Sequence, residues 1–399
     1  MTTRRDLLIM AGGVALLGGC RESAGAPAAA TVPDVLLAES RAGLMVLGGA
    51  RPGALGEQAT ARLDGALVYA VDGSDLVRVD PAVGVPEEKV GLEGGWVPRA
   101  ISADGRSCVL SRNPAAVLPA ARERTALLVT TGQQQERFDL GGVVEPDAFT
   151  SDGTGLFVLE WLPASAPDHY RVRLLDLGTG AVRPLLTRDK VPVPAGAEEE
   201  MRGDGRQAVL SPERQVLYTL YTHQPGHRHT RDLISGRPGG AHAFVHVLHL
   251  AQGWAYCLDL PHPFGEGPAD RHALALSADG RTLAVADVTS GSLAYADTES
   301  LSIRRVVAVP RGDGAASLLF TPEGDRLLVG AGTRVVGIGG AGAVSTWAVP
   351  APVRGLGLSR DGARLYAGGT DEVVWLDTAS GELRGRSPVA GLTALRHVR

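Results

Sequence analysis

Cysteine, lysine and aromatic residues are all scarce in this chain of 399 residues, and each scarcity excludes something. The 3 cysteines, Cys20, Cys108 and Cys257, form no CxxC pair, so a cysteine-built zinc site is not expected. Lys89 and Lys190 are the only lysines among 39 basic residues. With the excess of alanine and glycine, that arginine bias reads as codon usage in a GC-rich genome rather than as a binding feature. A large excess of either charge is missing too: a net charge of −5 offers no basic field, so nucleic acid is not expected as a partner. The N-terminal uncharged stretch, Leu7 to Gly19, is too short for a transmembrane helix, which needs about 20 residues. No GxSxG, P-loop or HExxH occurs, and no clear nucleophile–base pair is present. From Asp34 onward no amphipathic helical period persists. In its place stand 53 glycines and 25 prolines, a composition of many turns.

The first residues have the layout of an export signal. Arg4 and Arg5 form a positive start, Leu7 to Gly19 a short apolar segment, and Leu17-Gly18-Gly19-Cys20 a small-residue ending. This resembles a twin-arginine signal peptide carrying a bacterial lipobox, with Asp6-Leu7-Leu8 where phenylalanine is frequent in that family. The resemblance implies cleavage after residue 19, acylation of Cys20, and a mature protein exported and held by lipid at the extracytoplasmic face of a bacterial membrane. Two or more acyl chains would supply the anchoring that one chain does not. Residues 20–33 are small, polar and proline-bearing, the composition of a flexible tether.

The remainder, 34–399, reads as one repeating domain. A pattern of apolar strand, Asp-Gly-type turn and apolar strand recurs at Asp64-Gly65, Asp104-Gly105, Asp152-Gly153, Glu213-Arg214, Asp279-Gly280, Glu323-Gly324 and Asp361-Gly362. Asp-Gly between apolar runs is a strong hairpin signal, because glycine accepts the positive φ of a tight turn. The spacing is about 40 residues, stretched in the middle of the chain, which suits a propeller blade of four strands. The last unit spells one out: Arg354 to Ser359, Arg364 to Gly368, Glu372 to Asp377 and Glu382 to Val389. This unit, with its Asp377-Thr378-Ala379-Ser380-Gly381 connection, resembles the bacterial YVTN-type propeller repeat. The fold expected is therefore all-β, a propeller of four-stranded antiparallel blades. Seven turns favour seven blades. Unpaired strands at Val35 to Ser40, Gly43 to Gly49 and Leu392 to Val398 add a closing blade, so eight is preferred and seven is the alternative. In that closure the N- and C-terminal strands pair. Cys108 and Cys257 then fall in different blades and remain free thiols.

Strand alternation puts the b–c and d–a connections at one end of every blade. The long segments Arg112 to Arg124, Leu162 to Tyr170, Val191 to Gly205, Thr222 to Ala241 and Pro261 to Arg271 all belong to that end. Loops on a rigid scaffold commonly carry binding function. Eight of the 10 histidines lie between His223 and His272. His223, His227, His229 and His242 belong to one loop and its base, and neutral imidazoles converging there could hold zinc or copper. A histidine surface serving polarity or pH sensing is the plainer alternative. His246 and His249, three apart on a strand, point to opposite faces and cannot serve together. Glu198-Glu199-Glu200 reads as a solvated charge run, with calcium binding as the alternative, and Trp161, Trp254 and Tyr256 as core. No catalytic residue is assigned. The expected role is a monomeric binding or scaffold module, its partner an unidentified protein or small molecule on the loop-rich face. The alternative, implied by the propeller resemblance, is a lactonase-, lyase- or dehydrogenase-like enzyme working at the channel mouth.

Overall fold

The computed structural model describes residues 29–113, 118–202, 207–340 and 342–399. They form eight four-stranded antiparallel sheets, arranged as the blades of a propeller. Blade 1 is the closing blade, and blades 2 to 8 follow in chain order. The innermost strands of blades 2 to 8 are Ala59–Ala61, Val97–Ile101, Val143–Phe149, Gln207–Leu210, His272–Leu276, Ser317–Phe320 and Leu356–Leu358. Around a central channel each packs beside the next, except that the innermost strands of blades 4 and 5 stand further apart.

The turns explain why the repeat folds as it does. In blade 3 the Ser102 hydroxyl donates to Asp104 at 2.6 Å, Asp104 accepts the Arg106 amide at 3.0 Å, and Gly105 takes φ 75°. The same geometry recurs at Thr150–Asp152, Ser277–Asp279 and Ser359–Asp361. Blade 5 departs from it. Arg214 takes the left-handed φ of 56° where the other turns have glycine. Its guanidinium reaches Asp64 of blade 2 at 2.7 Å and the Ala103 carbonyl of blade 3 at 3.0 Å. Arg62 binds the same two groups, so three blades are tied together at the a–b end of the channel.

Blade 1 closes the ring as the terminal strands require. Leu392–Val398 is its innermost strand and pairs antiparallel with Leu36–Ser40, from Leu36 opposite Val398 to Ser40 opposite Leu392. Gly43–Leu47 follows as the third strand. Gly53–Gly56 completes the blade as a fourth strand whose Gly-Ala-Leu-Gly sequence shows no apolar alternation. Full closure removes the sheet edges that would otherwise pair with other chains. Asp34 fastens the seam through Arg364, at 2.9 and 3.1 Å, and the Tyr366 hydroxyl at 2.6 Å. Ahead of it, Val32 is buried and Ala30 donates to the Arg386 carbonyl at 2.9 Å, so residues 29–33 lie on blade 8.

The hydrophobic core is divided between neighbouring blades. Phe157, Trp161 and Tyr170 of blade 4, for example, pack with Tyr221, Phe244 and Leu248 of blade 5. Cys108 and Cys257 are buried, free, and in different blades. Among the described residues, no helix is long and apolar enough to cross a membrane.

Candidate metal centre

The junction of blades 4 and 5 is built unlike the others. The outermost strand of blade 4, Val182–Pro184, has only 3 residues. The chain then leaves blade 4, and Leu186 pairs with Trp254 on the outer edge of blade 5. It returns to blade 4 where Met201 exchanges both backbone hydrogen bonds with Tyr170, at 2.8 and 2.9 Å. The segment in between carries Glu198-Glu199-Glu200 inward across the seam. The charge run is therefore not a solvated one. Glu198 pairs with Arg171 at 3.3 Å and Arg173 at 3.2 Å, the Glu199 side chain is only 11% exposed, and Glu200 alone is half exposed.

Blade 5 supplies the facing groups. In its hairpin, Phe244–His249 pairs with Trp254–Asp259, which sets His246 directly opposite Cys257 on the side turned to blade 4. From above, the long b–c loop folds back. His227 stacks on Phe244 at 4.5 Å between ring centres, and His229 meets the same ring edge-on at 4.9 Å. A one-and-a-half-turn helix, Thr230–Ser235, starts at His229 and is closed by Gly236 at φ 68°. The loop order comes from these contacts: two imidazoles replace the apolar side chains that would otherwise cover Phe244.

All of these groups converge on Glu199. Its carboxylate accepts the Cys257 thiol at 3.0 Å and the Thr230 amide at 3.1 Å. Nδ1 of His229 stands 3.4 Å away, Nε2 of His246 3.6 Å and Nε2 of His227 3.9 Å. Glu199, His229 and Cys257 each offer a ligand atom, all within 4.8 Å of one another. Nδ1 of His229 and Nε2 of His227 are buried and lack a hydrogen-bond partner, which is costly for a polar atom. The other nitrogen of His229, Nε2, bonds Asp259 at 2.5 Å, and Asp259 is also held by Arg231. A carboxylate on the far nitrogen is the arrangement that orients a metal-binding histidine.

These groups set one another's charge. Burial alone would raise the Glu199 carboxyl, but the imidazoles of His227, His229 and His246 outweigh it and hold it well below the usual range. Burial opposes charge on His229 as well, yet Asp259 and Glu199 push it up to about 9. Burial, with Glu199 beside it, pushes the Cys257 thiol well above its ordinary value. A bound divalent ion would reverse that last effect, since a coordinating thiol is deprotonated outright.

Of the four histidines singled out from the sequence, two meet and two do not. His227 and His229 stand together, ring centres 4.7 Å apart. His223 bonds its own neighbour Thr222 through Nδ1 at 2.9 Å, and His242 stacks on His262 at 5.7 Å. His249, on the opposite face from His246, packs against Trp254. Trp161 is core, whereas Trp254 and Tyr256 are half-buried and Tyr256 forms a cavity wall. Cys20, Arg4 and Arg5 lie outside the described residues. Glu199, His246, Cys257 and Asp259 were missed. The hairpin register was a usable signal for two of them, since a turn at residues 250–253 already places His246 opposite Cys257.

No family model and no curated protein matches the chain. Solved structures do match in fold. Two structures of AztD from Citrobacter koseri, one of them the apo form, share 12% and 11% identity with TM-scores of 0.55 and 0.53. Each match covers 92% of this chain, and 96% or 97% of AztD. A eukaryotic initiation factor is similar at 12% identity and a TM-score of 0.50, over 91% of this chain and 97% of its own. At these identities the likeness is one of architecture alone.

Proposed function

We propose that this protein is an extracytoplasmic binding propeller whose ligand at the blade 4–5 junction is a soft divalent transition metal, zinc in the first place. The observation that carries this reading is the convergence of the buried imidazoles of His227 and His229 on the Glu199 carboxylate beside the Cys257 thiol, with Glu199, His229 and Cys257 a nitrogen, oxygen and sulfur donor set within 4.8 Å. A mixed set of nitrogen, sulfur and oxygen donors suits zinc, while calcium and magnesium take oxygen alone. Glu199, His229 and Cys257 would hold the ion, with His246 or His227 near enough to add a donor. Export and acylation at Cys20 complete the proposal, on the strength of the Arg4-Arg5 and Leu17-Gly18-Gly19-Cys20 patterns.

Calorimetric titration of the chelator-treated protein with zinc tests the reading. One equivalent should bind, and Cys257→Ser and His229→Ala should each weaken it by about tenfold or more. Cobalt substitution should add a thiolate-to-metal absorption band that Cys257→Ser abolishes. No binding at micromolar zinc, or binding untouched by either variant, refutes the site. A second reading, a metal-dependent enzyme, is favoured by one feature: three donors beside a cavity are the layout in which zinc keeps an exchangeable position. Zinc-dependent hydrolysis of activated esters, lost in Cys257→Ser, would select it.

A further inference from the structure

A metal ion does not account for the space next to these donors. Between the segment that leaves blade 4 and the outer strand of blade 5 lies a cavity of about 580 Å³. That is within the range of small-molecule sites and far larger than any cation requires. Its walls include Val172, Leu185, Val193, Met201, Ala255 and Tyr256. The cavity exists because the outer strand of blade 4 stops after Pro184, so the chain that would fill the seam bows outward instead.

The mouth is apolar as well. Val191 and Ile234, two of the few large hydrophobic side chains left exposed, are 57% and 52% accessible and both line the opening. A hydrated cation gains nothing from such lips, whereas an apolar molecule does. Charge at the mouth comes from Arg188, Asp189 and Arg231. Arg231 is engaged by Asp259 and the Cys257 carbonyl. Arg188 lies 5.4 Å over the Tyr256 ring and, among the described residues, donates only to the Glu299 carbonyl, at 3.2 Å. Among the described residues no carboxylate is paired with it. Its guanidinium is held in place by the aromatic face and keeps donors free for an anionic group.

We infer that this cavity binds a small organic anion, its apolar body between Val172, Ala255 and Tyr256 and its charged group at Arg188. The inference goes beyond the metal reading, because the cavity and its lips act on an apolar anion with or without an ion at Glu199.

Fluorescence titration of the full-length protein with anilinonaphthalene sulfonate, and with neutral N-phenylnaphthylamine as its uncharged counterpart, tests this. Both probes should bind with one-to-one stoichiometry. Arg188→Glu alters an exposed side chain, so folding is preserved. It should weaken the sulfonate probe by about tenfold and change the neutral one by less than about twofold. Ala255→Phe should weaken both by about tenfold or more. Chelator treatment, which strips any ion from Glu199 and leaves the cavity walls unaltered, should leave both probes bound, so the two proposals fail separately. Absence of saturable binding overturns the inference. So does a sulfonate affinity indifferent to Arg188→Glu, or, in a variant of unchanged circular dichroism, probe affinities indifferent to Ala255→Phe.

Discussion

Truncating two leucines of the C-terminal strand tests how much of the stability depends on ring closure. Leu392 and Leu395 are 3% and 4% exposed and pack in one cluster with Leu36, Tyr366, Val373 and Trp375. A buried Leu→Ala change costs about 2–5 kcal/mol, and these two neighbours together cost roughly 4–8 kcal/mol. That is comparable with the whole stability of a typical domain, about 5–15 kcal/mol. Melting temperature is an insensitive readout in a chain of this size, because each kcal/mol moves it by only about 2 °C or less. Urea unfolding is better. With a slope of about 4 kcal/mol per molar for so large a domain, Leu392→Ala/Leu395→Ala should lower the midpoint by about 1–2 M. The control is Val306→Ala, on an outer strand and 45% exposed, which should move the midpoint by less than about 0.2 M. A double variant that matched the control would refute the claim that this strand holds the ring shut.

Two further outcomes follow from the structure and the sequence. His272 is fully buried, with Nε2 accepting the Gly265 amide at 3.0 Å, Nδ1 facing the Pro268 carbonyl at 3.1 Å and Asp287 3.7 Å off; burial holds the imidazole below its usual range. The unfolded chain then binds a proton that the folded chain refuses, so stability should fall as pH drops below about 6.5, and His272→Gln should flatten that slope in urea unfolding at pH 5 to 7. For the proposed anchor, intact-mass analysis of membrane-extracted protein should show acylated Cys20 as the first residue, and Cys20→Ser should appear unacylated in the soluble fraction; an acylated Cys20→Ser protein would exclude the lipobox reading.

The blades were legible because they rest on local chemistry. A hydroxyl, an aspartate and a glycine at fixed spacing are enough to specify each a–b turn, and the alternating apolar runs on either side specify the strands. The closing blade was legible for a topological reason, since Val35 to Ser40 and Leu392 to Val398 had no other partners. Its last strand, Gly53–Gly56, was not, because glycine-rich edge strands pair through backbone without a side-chain pattern. The candidate site divides the same way. Histidine density located the loop, and His227 and His229 are where that density pointed. Glu199 was hidden by its two acidic neighbours, since a run of three glutamates looks solvated until the chain's path across the seam is known. Cys257 was passed over for the same kind of reason: a thiol in an apolar strand looks like packing until its cross-strand partner proves to be His246.

The docking of residues 29–33 on blade 8 has a geometric consequence for the far side of the ring. Eight blades divide the circle into steps of about 45°, so the seam between blades 4 and 5 is nearly half a turn from the rim where the chain enters the propeller. Rotation of the disc about that entry point moves the cavity mouth through the widest arc the molecule permits, while the entry point itself barely shifts. If the chain is held there, the mouth of the cavity becomes the outermost point of a swinging disc, free to sample positions well away from whatever holds it.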